Sequence, residues 1–231
     1  MRRSFVGLLV LLWAGLVWAQ GTDPISRLID DGKYQEAYAA AVKLGTSEGW
    51  TQAAKAASFY AGYQAKESER GPWYDRAEDA AQRAIAADKN NPEAYFELAR
   101  AGGRLAQFRG ILQSLSLAAS VRDNLNKVLQ LNPKHAGARV ALALWNLELT
   151  QKGVGWLYGA DGGRIIPLFE EAIKLEPEEI IHKVEYAGAL AKLGRLAEAR
   201  KQYEAALALT PKTAADRYDL ERAKRELAAL K

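Results

Sequence analysis

Between Leu168 and Pro211 one pattern of apolar and polar positions is stated twice. Leu168-Phe169-Glu170-Glu171-Ala172-Ile173-Lys174-Leu175-Glu176-Pro177 is answered by Gln202-Tyr203-Glu204-Ala205-Ala206-Leu207-Ala208-Leu209-Thr210-Pro211. Phe169 and Tyr203, Ala172 and Ala206, and Pro177 and Pro211 each stand 34 residues apart. A ring, an alanine three positions later and a proline five after that describe one face of a helix and its stop. The small residue lets a second helix approach to about 8–10 Å. The proline forbids continuation of the preceding turn. The stretch therefore predicts two successive helices. Its first helix carries Ala187 and Leu190 and closes at a left-handed Gly194, and its second carries Ala199, Tyr203 and Ala206.

Upstream the same ending recurs at a longer interval. Lys89, Pro133 and Pro177 are spaced by 44 residues, ten more than the last unit. Helices are predicted over 25–31 and 34–44, with Asp23 or Thr22 as cap, Pro24 in the first turn and Gly32 as the break. Further helices are predicted over 50–66 and 73–88, separated by a break at 67–72, then over 92–105 and 108–131. Five glycines among the eleven residues from Gly153 to Gly163 argue against continuous helix, so the extra residues of that unit form the one long loop. Leu220, Ala223, Leu227 and Leu230 make the apolar stripe of a last helix over 214–230.

The 34-residue register resembles the tetratricopeptide repeat. What that resemblance implies is an all-α fold, a right-handed superhelical solenoid of about four to five helical hairpins plus a C-terminal capping helix. The units would be 22–48, 49–91, 92–134, 135–179 and 180–213, with the cap at 214–231. The match is strongest in the last unit. In the one before it, Ile165 stands where Ala199 does, and in the 92–134 unit Leu125 and Val128 replace the ring and the alanine. A plain helical bundle is the alternative, and it would need coincidence in both registers. Trp145 within Ala143-Leu144-Trp145-Asn146-Leu147-Glu148, then Leu157-Tyr158-Gly159-Ala160, Phe169 to Pro177 and Ile181-His182 narrow the resemblance. Over about residues 90–213 the chain is similar to a subgroup that includes bacterial exported members and the regulator-of-microtubule-dynamics proteins. The resemblance brings no catalytic residues and implies a scaffold or binding role. A microtubule role does not fit a chain exported from a bacterium.

Export is read from the N-terminus. Arg2 and Arg3 precede an apolar run from Phe5 to Trp18, and Val17 and Ala19 are small enough for signal peptidase. Residues 1–19 are expected to be a signal peptide removed after Ala19, giving a periplasmic or extracellular protein with no stable membrane span. The run is shorter than the ~20 residues a spanning helix needs, which makes an uncleaved anchor the second reading. Without Arg2 and Arg3, Lys+Arg falls from 32 to 30 against 28 acidic residues. That balance lacks the concentrated positive field of a nucleic-acid binder. The absence of cysteine excludes disulfides, thiol catalysis and thiolate metal sites.

The remaining chemistry is sparse. The two histidines, His135 and His182, have no second ligand at helical spacing and read as surface or cap residues. Ser114, Ser116 and Ser120 lack any nucleophile context, and Glu170-Glu171 and Glu178-Glu179 point apart on a helix. Neither an enzyme, a cofactor nor a metal is expected. The groove of the solenoid is expected to be lined by Phe96, Arg100 and Arg104, then Val140, Leu144, Leu147 and Glu148, then Val184, Glu185 and Lys192. Arg100 and Arg104, one turn apart, are candidates for gripping a carboxylate, and reversing both charges is expected to leave thermal unfolding nearly unchanged. They resemble the carboxylate clamp of chaperone-binding members in charge only. Two readings of function follow. One is an adaptor that binds an envelope protein or peptide in its groove. The other is a transporter-associated component that holds a small molecule under a flap of Trp156, Tyr158 and Asp161. If Trp156 and Tyr158 are not a flap, they are expected to tuck into the core.

Overall fold

A computed structural model describes residues 23–108 and 111–230, so the expected signal peptide at 1–19 lies outside the described residues. The described residues form helices and no strand. Helix α1 (Pro24–Asp30) starts where Asp23 accepts the Ser26 amide at 3.1 Å, with Pro24 in the first turn. Helix α2 (Tyr34–Ala41) runs into a 3-10 turn and ends at left-handed Gly45. Helix α3 (Ser47–Phe59) is capped by the Thr46 hydroxyl. Its last turn widens into a π-helical turn, Tyr60–Gln64, where the Ala65 amide donates to the Tyr60 carbonyl at 2.9 Å.

The break expected at 67–72 does not occur. Helix α4 (Glu67–Ala87) runs through Pro72 without interruption. A proline there removes one bond from the start of a long ladder. Tyr74, Ala77, Ala80, Ala81 and Ala84, all buried, pack the rest of the helix and outweigh that loss. Helices α5 (Pro92–Phe108) and α6 (Ile111–Leu131) make the long pair that the 44-residue spacing requires. Helix α7 (Ala136–Gln151) is followed by the glycine-rich segment. That segment is not one open loop: it holds a short helix α8 (Gly155–Tyr158) and a 3-10 turn at Gly162–Arg164. Helices α9 (Ile165–Leu175), α10 (Ile180–Lys192), α11 (Leu196–Leu207) and α12 (Ala214–Ala229) complete the chain.

Consecutive helices pack as antiparallel hairpins: α1 with α2, α3 with α4, α5 with α6, α7 with α9, and α10 with α11. From α3 onward, the first member of each hairpin also touches the first member of the next, which places α3, α5, α7 and α10 in one layer. Small residues make the contacts close. Ala37, Ala53, Ala57, Ala77, Ala81, Ala143, Ala172, Ala187, Ala199 and Ala206 are all fully buried. Larger side chains fill the spaces between units, with Tyr34, Leu125, Phe169 and Tyr203 almost wholly enclosed. The array is a helical solenoid, and it curves far enough to meet itself. Helix α12 packs on α10 and α11 and also touches α1. At that meeting, a Cβ on Gly32 would lie 2.8 Å from the Cβ of Ala214.

Candidate functional site on the inner face

The inner face is built from the layer of first helices, and its side chains are charged and aromatic. On α5, Glu97 is buried, and Arg100 forms an ion pair with it one turn away. The Arg100 guanidinium lies 4.7 Å from the Phe59 ring centroid and 5.6 Å from that of Phe96, so the cation stacks between two helices. Burial pushes the Glu97 carboxyl above its usual range, and the Arg100 charge acts against that push. One turn on, Arg104 lies 3.8 Å from Glu185 of α10, two hairpins away. Arg222 of α12 binds the same carboxylate at 2.9 Å. Burial acts to raise Glu185, yet Arg222 and Arg104 together hold it below its usual range.

The rim closes through hydroxyl chemistry. The π-helical turn at the end of α3 turns Tyr63 and Gln64 toward α12. Tyr63 donates to Asp219 at 3.0 Å and stacks on Tyr218 at 5.3 Å between centroids. The Gln64 amide donates to the Gly32 carbonyl at 2.9 Å. Asp219 is 3% exposed, and burial pushes its carboxyl up to about 7 despite Arg222 3.7 Å away.

The sequence-predicted groove residues separate into groups. Phe96, Arg100, Arg104 and Glu185 do lie on this face. Val140, Leu147 and Val184 are buried in the core and offer nothing to a partner, while Leu144 is half-buried against the central cluster. Glu148 is exposed and pairs with Lys152 at 3.0 Å on its own helix. Lys192 is exposed, with its carbonyl accepting from Gln151. Spacing along one helix cannot separate a residue that faces the groove from one wedged against the next helix, hence the mixture. Residues that the sequence reading passed over complete the site: Phe59, Tyr63, Glu97, Tyr218, Asp219 and Arg222. One signal was present. Asp219 and Arg222 sit three apart on one flank of the Leu220–Ala223 stripe, where a cap helix open to water would need no pairing.

His135 caps α7, with its Nδ1 accepting the Ala138 amide at 3.0 Å and its Nε2 lying 3.1 Å from Glu93. His182 is enclosed, and burial lowers its pKa to about 4. Among the described residues no group of three or more His, Asp or Glu side chains is placed to hold a metal. Nor is any described helix long and apolar enough to cross a membrane.

The expected flap takes another form. Trp156 is 83% exposed and Leu157 58%, so the indole neither tucks into the core nor covers a cavity. Tyr158 is half-buried against the core, and its carbonyl accepts from Arg122 at 2.8 Å. The Asp161 amide is held by Asn146 at 2.6 Å, and the Asp161 carboxylate caps Gly163. The space beside Trp156, about 360 Å³ lined by Thr150, Gly155 and Gly162 among others, is an open depression. Helix α8 is one turn long and its glycine flanks bury little, so nothing draws the indole inward.

The family model described as "Regulator of microtubule dynamics protein 1-3" matches residues 25–157, so it takes in the first hairpins and ends before the Phe169–Pro177 and Ile181-His182 segments that carry part of the resemblance over 90–213. No curated protein matches the chain. Among solved structures, the thermophilic TPR protein TTC0263 of Thermus thermophilus aligns with 84% of this chain and 92% of its own, at 17% identity and a TM-score of 0.63. A crystal structure of MamA covers 88% of this chain and 99% of its own at 18% identity, with a TM-score of 0.47. The likeness to TTC0263 is one of fold: a tetratricopeptide solenoid.

Proposed function

The chain belongs to the regulator of microtubule dynamics protein 1–3 family, and from that premise we propose that it is an exported interaction scaffold whose inner face receives a protein or peptide. A tetratricopeptide fold supports a scaffold role. The observation that carries the finer reading is the pairing of Arg104 with Glu185 across two hairpins. Packing of small residues alone would complete the solenoid, yet charges from α5, α10 and α12 converge on this face. Arg104 is 44% exposed at its side chain and has capacity left for an incoming carboxylate. An adaptor fits this better than a small-molecule holder, because the depression beside Trp156 is open and that indole is free of the core.

Placement in the cell envelope rests on the charge and apolar pattern of residues 1–19. The test has two arms. Mass measurement of the protein recovered from the envelope should give a chain that begins at Gln20, and a retained Met1 would reject cleavage. Affinity capture from the same envelope should enrich a defined partner with the native chain and lose it with Arg104→Glu. Equal capture by both would remove the inner face from the reading.

A further inference from the structure

We propose that α12 is a resident occupant of the scaffold's inner face, a helical clasp whose polar side holds the array shut until a partner helix takes its place. The proposal rests on the scaffold reading and adds what the inner face recognises: a helix presenting a phenol and a carboxyl side by side, as Tyr218 and Asp219 do.

Helix α12 has two seams of different kinds. Its apolar side, Leu220 and Ala223, packs with Ile180, Val184, Tyr203 and Ala206 of the last hairpin. Glu226 strengthens that seam by accepting from the Tyr203 hydroxyl at 2.6 Å. Apolar burial of this sort has no substitute in water, so this seam is the lasting one. The other side of α12 meets the first hairpins through hydrogen bonds and a ring stack, Tyr63 with Asp219 and Tyr218, and Gln64 with the Tyr218 hydroxyl at 3.4 Å. Each of those bonds is exchanged for bonds to water when the seam opens, so it holds the seam only by the modest difference between the two. The polar seam is therefore the one that parts.

A second observation comes from the opposite side. Tyr63 and Gln64 lie in the π-helical turn Tyr60–Gln64, a distortion that recurs at functional sites because it re-aims side chains at a cost to the helix. Here it aims both residues at α12. The groups facing Asp219 are Tyr63 from that turn, Tyr34 from α2, Arg104 from α5, Glu185 from α10 and Arg222 from α12 itself. The mixture of hydroxyl, cation and carboxylate matches a polar helix face and no apolar ligand.

The experiment combines hydrogen exchange with small-angle scattering on the whole chain. Tyr63→Phe with Gln64→Ala keeps the ring and removes the donors. It should quicken amide exchange at residues 60–65 and 214–219 about tenfold and enlarge the radius of gyration, while α7 and α9 keep their rates. Glu226→Ala, which touches only the lasting seam, should leave residues 60–65 unchanged. An excess of a synthetic peptide spanning residues 213–230, added to the native chain, should leave residues 60–65 protected and free the chain's own 214–219 to exchange. Unchanged exchange in the double variant, or equal acceleration of every helix, would overturn the clasp. Failure of the peptide to release 214–219 would overturn its replacement by a partner. Capture of no envelope partner while the seam still opens would count against the scaffold reading alone.

Discussion

Tyr63 and Asp219 lie 156 positions apart in the chain and meet in a hydrogen bond of 3.0 Å, from phenol to carboxylate. The bond joins the turn that ends the third helix to the twelfth helix. It places a titratable group inside the meeting point of the two ends of the array, and a pH effect follows from it.

Burial raises the Asp219 carboxyl from 3.8 to about 7. A carboxyl with a raised native pKa contributes its full stability below the unfolded value and loses it as pH climbs through the native one. The contribution of this residue thus declines between about pH 4 and about pH 7. Asp219→Asn retains an oxygen to accept from Tyr63 and cannot titrate. Its melting temperature should fall less than that of the native chain from about pH 5 to about pH 8, and equal slopes would assign the effect to another group.

Gly32 has φ +79°, and a Cβ there would meet Ala214 at 2.8 Å. Gly45 has φ +64° with open space around its Cβ position. Gly45→Ala should cost about 1 kcal/mol from backbone conformation alone. Gly32→Ala should cost more, about 2–3 kcal/mol, since the first turn and α12 must also separate. Chemical denaturation of the two variants measures the difference, which isolates the contact between the ends.

Arg100→Glu and Arg104→Glu are expected to part company. The Arg100 side chain is 22% exposed and pairs with a Glu97 side chain 3% exposed, so reversal sets two carboxylates together in a dry place. A loss of about 3–5 kcal/mol is expected. Arg104 is 44% exposed, and its reversal should cost about 1 kcal/mol or less, with Arg222 still on Glu185. The sequence alone suggests that reversing both leaves thermal unfolding nearly unchanged, and the burial of Glu97 predicts a loss instead. Thermal melts of the single variants decide this.

Ala172→Leu should lower stability by about 1–3 kcal/mol, because the alanine is fully buried where α9 meets α7. Trp156→Ala should stay within about 0.5 kcal/mol of the native chain. A large loss on removing Trp156 would mean that the indole is covered by something other than solvent.

The helical hairpins were legible in the sequence because a repeat states its packing more than once. Phe169, Ala172, Tyr203 and Ala206 show their faces by recurring, and all four are buried. Pro72 misled because a breaker's effect depends on how much apolar face follows it, and α4 has five buried positions after the proline. Trp156 misled because size alone does not bring a side chain inward. Tyr63 and Asp219 left no trace in any local pattern. Their partnership is set by the accumulated curvature of every hairpin between them, and no window of the sequence contains that sum.

The approach of Ala214 to Gly32 has one more consequence, for how such a chain can change in size. A repeat array open at both ends can gain or lose a unit and remain an array. Here the last helix must arrive opposite the first turn, so each added hairpin would carry it past its mark and each deletion would stop it short. Closure makes the number of hairpins a fixed dimension of this molecule, as the number of staves is for a cask.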